Sequence, residues 1–377
     1  MLPFQVKSFY SSPAIRYNKI SDLEARVRFY GTLEIDIREA LKRKDLLFID
    51  VRSPGEHAES SIPDSVNIPL FSNSEHHQLG TIYHLYGESE ARSLALEFVS
   101  PKLPQLVKQV TETSQSLIPL LYCKRGGMRS LSLYQVLSMS GIKVLRLKNG
   151  YRGYRKLVSE GLKSYRFDNK LVILHGLTGV GKTDLLMMLE KRGYPVIDLE
   201  GLARHRGSVF GSVGLGTQRS QKDFDALLLQ KLDSLRAEPL AFIEGEGRRI
   251  GNVYLPHFLS EAMNEGYKLL LTASLEKRVA RILSTYNPQN LAVQEREELE
   301  QAISSLKNRL GRQRTNQLLN LLKTGDLKTT AEILCRDYYD RLYSDSRPET
   351  ANFDLVIDAE DLEQAVNVII KHIKTVF

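Results

Sequence analysis

Cys123 heads the stretch Cys123-Lys-Arg-Gly-Gly-Met-Arg-Ser130, in which five residues separate the thiol from Arg129. Lys124, Arg125 and Arg129 favour an anion at that point, as do the backbone N–H groups that Gly126 and Gly127 leave free to curl. The pattern points to nucleophilic sulfur chemistry on an anionic group. A cysteine that only packs would need neither paired glycines nor three cations. A second stretch, Gly176-Leu-Thr-Gly-Val-Gly-Lys-Thr183, has the spacing G-x4-G-K-T. Gly176, Thr178, Gly179 and Gly181 lie where successive N–H groups can wrap phosphate oxygens. Lys182 can reach between phosphates, and the Thr183 hydroxyl can ligate Mg²⁺. This is a diphosphate site, and nothing in it requires the ligand to be ATP. Asp198, Glu200, Glu244 and Glu246 are candidates for Mg²⁺ contact or general acid–base work, unranked by sequence. Arg204, Arg206, Arg248 and Arg249 are candidates for gripping phosphate or RNA. Tyr151, Arg152 and Arg155, in Asn149-Gly-Tyr-Arg-Gly-Tyr-Arg-Lys156, could stack on and clamp single-stranded RNA. A domain-closing helix with solvated charges fits that last segment equally well.

Both loops depend on the elements around them. Leu117–Tyr122 reads as a buried strand entering Cys123, and Leu131, Tyr134, Val136 and Leu137 as a helix leaving it, stopped by Gly141 at C′. That order aims N–H groups and the positive end of a helix dipole at the cysteine. Leu171–Leu174 and the apolar positions Leu185, Leu186, Met188 and Leu189 frame the second loop in the same way. Further strands are expected at Leu46–Ile49, Ile142–Leu147, Tyr194–Glu200, Leu240–Ile243, Tyr267–Leu271 and Phe353–Asp358, with a closing amphipathic helix over 359–377. Ile35, Ile37, Ala40 and Leu41 suggest a helix face. The alternation predicts an α/β protein with parallel sheets. From Leu275 to Tyr343 the chain reads as helical and basic; a run of cations such as Arg278, Arg281, Lys307, Arg309, Arg312 and Arg314 is usually a solvated face, and the phosphate site beside it adds weight to an RNA-backbone role. Cys335 is expected in core packing. His76 and His77 are expected on an exposed turn, with no second pair to complete a metal site.

The chain of 377 residues has room for two domains. No run of eighteen apolar residues occurs, so no membrane-spanning helix is expected. The first residues lack the apolar core and cleavage site of a secretory signal. Two distant cysteines, Cys123 and Cys335, offer no disulfide framework and suggest a reducing, cytoplasmic setting. A formal net charge of +7 suits a polyanionic partner.

Asp50-Val-Arg-Ser-Pro-Gly-Glu-His57 with Ser61-Ile-Pro-Asp-Ser-Val-Asn-Ile-Pro69 resembles the first signature of rhodanese domains, and Tyr122–Ser130 resembles their sulfur-carrying loop. The resemblance implies a small domain with a central parallel sheet, a structural ion pair at Asp50 and Arg52, and a transferred chalcogen carried on Cys123. Many sulfur-transferring rhodanese loops have four residues between cysteine and arginine. The five found here match the related cell-cycle dual-specificity phosphatases and suit a larger, phosphate-type anion. With the P-loop domain that follows, the whole resembles tRNA 2-selenouridine synthases. Leu79–Tyr83, Asp198–Gly207, Glu244–Gly251 and Tyr338–Tyr343 carry that resemblance beyond the two loops. It implies an N-terminal extension of unknown role at 1–30, a rhodanese-like domain at 31–166, and a P-loop domain at 167–377 that includes the basic helical segment 275–343. It further implies an enzyme, a selenotransferase with prenyl-transfer activity. The enzyme replaces the sulfur of wobble 2-thiouridine in tRNA with selenium from selenophosphate, through an S-geranylated intermediate made from geranyl diphosphate. A selenophosphate-producing enzyme is an expected partner. Leu177, Leu202, Val209, Phe210 and Leu215 are candidate walls for the prenyl chain. Read from the residues alone, two other classes stay open. One is a rhodanese-type sulfurtransferase or C-x5-R phosphatase fused to an ATP-dependent kinase; the other is a non-catalytic RNA-binding module.

Overall fold

The computed structural model describes residues 33–286, 292–342 and 352–377. The expected extension at 1–30 lies outside them. Contacts divide the chain into two compact units, one ending at Arg52 and resuming over Ile68–Gly150, the other made of Ser53–Asn67 and Tyr151–Phe377.

Short apolar runs in the first part of the chain form β1 (Glu34–Ile35), β2 (Leu46–Asp50), β3 (Val66–Asn67), β4 (Ile118–Tyr122) and β5 (Leu145–Leu147), joined in the order β1-β5-β4-β2-β3. The pairs β1–β5, β4–β5 and β2–β4 are parallel. The helices here are α1 (Ile37–Ala40), α2 (Pro54–Glu59), α3 (Asn73–Tyr86), α4 (Glu88–Val99), α5 (Leu103–Ser114) and α6 (Met128–Met139). Strand β4 is buried along nearly its whole length, as a strand covered on both faces must be. Its coverage comes from α5, which buries Leu106 and Val110, and α6, which buries Leu133 and Leu137. Gly141, at φ +77°, stops α6 in the left-handed conformation expected of a C′ residue. Three expectations shift. Ile35 belongs to β1, because the Asp36 side chain caps the chain and starts α1 one residue later. The strand over 142–147 contracts to Leu145–Leu147. His76 and His77 lie inside α3, where a Ser72–Glu75 capping box turns the predicted loop into helix.

The second sheet contains β6 (Lys170–His175), β7 (Val196–Ile197), β8 (Leu240–Glu244), β11 (Tyr267–Thr272) and β12 (Leu355–Asp358), in the order β12-β11-β6-β8-β7 and parallel throughout. The expected pair of parallel sheets is therefore present. Around this sheet run α7 (Gly150–Lys163), α8 (Lys182–Lys191), α9 (Leu199–Ala203), α10 (Gln221–Ser234), the hairpin β9 (Arg249–Ile250) and β10 (Val253–Tyr254), α11 (His257–Glu265) and α12 (Leu275–Tyr286). Helices α13 (Val293–Ser305), α14 (Lys307–Leu310), α15 (Arg312–Thr324) and α16 (Leu327–Leu334) follow, then a π-helical turn over Cys335–Tyr339 and the closing α17 (Leu362–Val376). The core between sheet and helices joins Val172 and Leu174 of β6, Leu185, Leu186 and Leu189 of α8, and Val366 and Ile369 of α17. The strand expected over Tyr194–Glu200 is only Val196–Ile197. Asp198 accepts a hydrogen bond from Gly201 N and opens α9, so Glu200 sits in a helical first turn.

Helix α7 decides the fate of the segment around Tyr151. Tyr151, Tyr154, Val158 and Leu162 repeat at helical spacing, and all four are buried. With 6% and 5% of their surface exposed, Tyr151 and Tyr154 are packing residues and offer no face to a base. Arg155 pairs with Asp225 at 3.1 Å and donates to Lys222 O, while Arg152 is exposed. Among the described residues, no helix is long and apolar enough to cross a membrane.

Candidate active sites

Cys123 leaves the carboxyl end of β4 and is nearly buried. Its Sγ lies 3.3 Å from Ser130 Oγ, and Ser130 Oγ also stands 3.3 Å from Gly127 O as its donor. Helix α6 begins at Met128, so the unpaired N–H groups of its first turn belong to this loop. The loop is braced from behind: Arg146 Nη1 donates to Gly126 O at 2.6 Å. Gly126 takes φ +66°, and a Cβ there would come within 3.1 Å of Asn149 N. Lys124 and Arg125 are exposed without a partner among the described residues, and Arg129 is partly buried. Beside the loop, Asp50 pairs across the sheet with Tyr122. Asp50 and Arg52 form a fully buried ion pair, with Nε–Oδ1 at 3.0 Å and Nη2–Oδ2 at 2.6 Å. The guanidinium also lies over the Tyr122 ring. This pair braces the strand ends, and neither charge reaches solvent.

The glycine-rich loop joins the central strand β6 to α8. Gly176 could carry no side chain, because its Cβ would meet Leu271 O at 2.7 Å. Lys182 Nζ donates to Gly176 O at 3.1 Å and so lies back across the loop. Thr183 Oγ1 donates to Glu200 Oε2 at 3.0 Å. Leu174 of β6 stands in register with Glu244, the last residue of neighbouring β8, so the acids converge at the carboxyl ends of adjacent strands. Glu244 is fully buried: its Oε1 accepts from Glu200 N at 2.7 Å and Oε2 has no partner. Burial, then the nearby Asp198 and Glu200, hold its carboxyl well above the usual range. Burial and the adjacent Glu246 raise Glu200 to about 7, against the opposing pull of Lys182 and the Thr183 hydroxyl. Asp198 caps α9.

A cavity of about 630 Å³ opens from this loop. Thr178, Gly179, Gly181, Lys182, Thr183, Glu200 and Glu246 line its polar end. Much of the remaining wall is apolar: Ile282, Leu283 and Tyr286 from α12, Leu299 and Ile303 from α13, Leu322 from α15, Leu327, Ala331 and Leu334 from α16, and Cys335, Tyr338 and Tyr339 from the π-helical turn, with Arg206, Arg281 and Arg309 set among them. Burial pushes the Cys335 thiol up to about 11, so it is a neutral wall and not a nucleophile. Of the five walls expected from sequence, Val209 and Phe210 face the cavity; Leu177, Leu202 and Leu215 do not.

Among the four arginines put forward for phosphate or RNA, only Arg206 reaches the cavity, packed over Tyr286 at 5.3 Å. Arg204 contacts Thr217 O, and Arg248 and Arg249 lie on the β9–β10 hairpin. The basic helical segment is also less free than its sequence suggests. Arg278 is buried and makes a bidentate pair with Asp340, both bonds 2.8 Å, while Arg314 is paired with Asp337. Arg281 lines the cavity but ties the loop to the sheet, donating to Val180 O and Ala359 O. Arg309, Tyr286 and the residues after 322 are cavity residues that sequence reasoning missed. Leu327, Thr330, Ala331, Leu334, Cys335 and Tyr338 recur every three or four residues, a helical face that could have been read as one wall.

Thr183 and Glu200 suit a Mg²⁺ ion completed by phosphate and water, since this ion keeps several waters and needs few protein ligands. No group of three or more potential ligands converges among the described residues, so a cage made of protein alone is not offered.

Known proteins match across both units. Residues 35–157 match the family model described as "Rhodanese-like domain", and residues 169–374 the one described as "tRNA 2-selenouridine synthase AAA domain". Proteins named tRNA 2-selenouridine synthase are similar over most of the chain. The Marinobacter nauticus protein is 33% identical over 327 residues, 79% of this chain and 88% of its own. That of Cupriavidus necator is 33% identical over 80% and 88%. That of Hydrogenovibrio crunogenus is 31% identical over 85% and 96%. Identity at this level across nearly the full length of such relatives, with both loops in place, makes this chain a member of the tRNA 2-selenouridine synthase family.

Proposed function

We propose that this protein forms 2-selenouridine in tRNA in two stages, one at each loop. In the first, the sulfur of wobble 2-thiouridine attacks C1 of geranyl diphosphate. The C–S bond forms, the C–O bond breaks, diphosphate leaves with the bonding pair, and the ring N3–H proton is released. Lys182 and the loop N–H groups stabilise the departing diphosphate. When bound, Mg²⁺ would be held by Thr183 and Glu200 and would neutralise part of that charge.

The observation that carries this reading is the cavity. It joins the glycine-rich loop to a largely apolar wall within one cavity, whose volume falls within the range of small-molecule pockets. A ten-carbon chain buried against the apolar walls gains roughly 8 kcal/mol before ordering costs, at about 0.8 per CH₂.

In the second stage Cys123 acts on selenophosphate held by its C-x5-R loop. Attack on selenium to give a perselenide would have to expel phosphite, with phosphorus reduced from P(V) to P(III). Attack on phosphorus does not: the S–P bond forms, the P–Se bond breaks and hydrogen selenide departs. Water then releases phosphate and restores the thiolate. Hydrogen selenide adds at C2 of the alkylated base and expels geranyl thiolate, a far better leaving group than the sulfur of the unalkylated thiocarbonyl.

Incubation with thiolated tRNA, geranyl diphosphate and selenophosphate, followed by nucleoside mass spectrometry, tests the sequence of events. Geranylated nucleoside is expected without selenophosphate, and selenouridine with both. Selenouridine formed at full rate without geranyl diphosphate would overturn the first stage.

A further inference from the structure

The hairpin that follows the cavity acids has no role in the two stages above, yet its construction is specific. Strands β9 and β10 pair Ile250 with Val253 and Arg249 with Tyr254 across the two-residue loop Gly251-Asn252. Gly251, at φ +55°, supplies the left-handed conformation that so tight a loop needs. Directly opposed residues point to the same face of a hairpin. One face, Ile250 and Val253, is buried, and the other, Arg249 and Tyr254, faces solvent. Tyr254 is 57% exposed, a large aromatic left in water.

That exposed ring stands on a rigid mount. Gln221 of α10 binds the Tyr254 backbone from both sides, donating from Nε2 to Tyr254 O at 3.0 Å and accepting from Tyr254 N at 2.7 Å. The Arg249 guanidinium lies 5.6 Å from the ring centroid, and its Nε donates to Gly251 O at 2.8 Å. Its two terminal nitrogens have no partner among the described residues, and neither does the side chain of exposed Arg248.

We infer that the β9–β10 hairpin is a stacking platform for an unpaired base of the RNA substrate, with Tyr254 receiving the base and Arg248 and Arg249 taking the adjoining phosphates. An exposed aromatic on a pinned backbone, flanked by guanidinium groups that keep unpaired terminal nitrogens, is what single-stranded RNA binds, by stacking and charge together. The platform is also close to the chemistry. Glu246 lines the cavity three residues before Arg249, so Tyr254 Cα lies within roughly 16 Å of it even along a fully extended path.

This inference rests on the reading that tRNA is the substrate, and the test separates the two. Binding of fluorescently labelled thiolated tRNA to the full chain would be followed by anisotropy over a series of salt concentrations, with unfolding midpoints confirming that each variant folds. Tyr254→Ala should weaken binding about tenfold or more with an unchanged salt slope, while Tyr254→Phe stays within about twofold of wild type. Arg248→Ala should lower the slope by about one. Wild-type affinity in Tyr254→Ala would overturn the platform and leave tRNA as the substrate, as would a Tyr254→Phe variant as weak as Tyr254→Ala. A wild-type chain that fails to bind tRNA would overturn the substrate reading and the platform together.

Discussion

Replacing Glu200 by glutamine should stabilise this protein, and more at high pH than at low. Glu200 sits against Glu246, with Glu244 bound to its backbone, and burial raises its carboxyl from 4.5 to about 7. A folded state that holds the proton more tightly than the unfolded chain loses stability as pH rises from the unfolded value through the folded one. The full loss is about 2.5 units (7 − 4.5), or roughly 3 kcal/mol at pH 8, against roughly 1 kcal/mol at pH 5. Glutamine cannot ionise but can still accept the Thr183 hydrogen bond. The variant should therefore unfold roughly 6–12 °C higher than wild type at pH 8, and only about 2–4 °C higher at pH 5, for a unit of this size. Thermal unfolding followed by circular dichroism at the two pH values measures both. An equal shift at both pH values, or a destabilised variant at pH 8, would refute the assignment of Glu200 as the strained carboxyl.

Two further outcomes follow from the separation of chemistries. Cys123→Ser should retain geranylation of thiolated tRNA and lose selenium incorporation, whereas Lys182→Ala should lose geranylation first; nucleoside mass spectrometry reads both, and loss of both steps in folded Cys123→Ser would contradict the division. Cys335→Phe, which enlarges a neutral wall of the cavity, should weaken geranyl diphosphate binding at least tenfold and leave inorganic diphosphate nearly unaffected, as measured by calorimetry.

Both loops were legible in the sequence because their chemistry is local. The five residues between Cys123 and Arg129 set one loop and the eight of Gly176–Thr183 the other, and the apolar runs before them read as buried strands. The cavity was not legible, since its walls come from four helices and a π-helical turn whose facing is decided by packing. Arg278 looked like a surface cation because its partner, Asp340, is 62 residues away. In sequence Tyr151 and Tyr154 fit an RNA clamp and a domain-closing helix equally well, and the 3.6-residue period of α7, which turns both rings inward, decides for the helix. Tyr254 is illegible in sequence for the opposite reason: a lone tyrosine in a short segment carries no pattern, and Gln221, which holds its backbone, lies thirty-three residues earlier.

The central claim is that the glycine-rich loop holds a prenyl diphosphate. Calorimetric titration of the full chain with geranyl diphosphate, inorganic diphosphate and ATP, each with Mg²⁺, tests it most directly. If only part of the roughly 8 kcal/mol of gross chain burial survives ordering costs, geranyl diphosphate should still bind at least about a hundredfold more tightly than inorganic diphosphate. ATP should bind no better than inorganic diphosphate. Tight ATP binding, with hydrolysis stimulated by tRNA and no preference for the prenyl chain, would contradict the account and make the second unit an ATP-driven kinase.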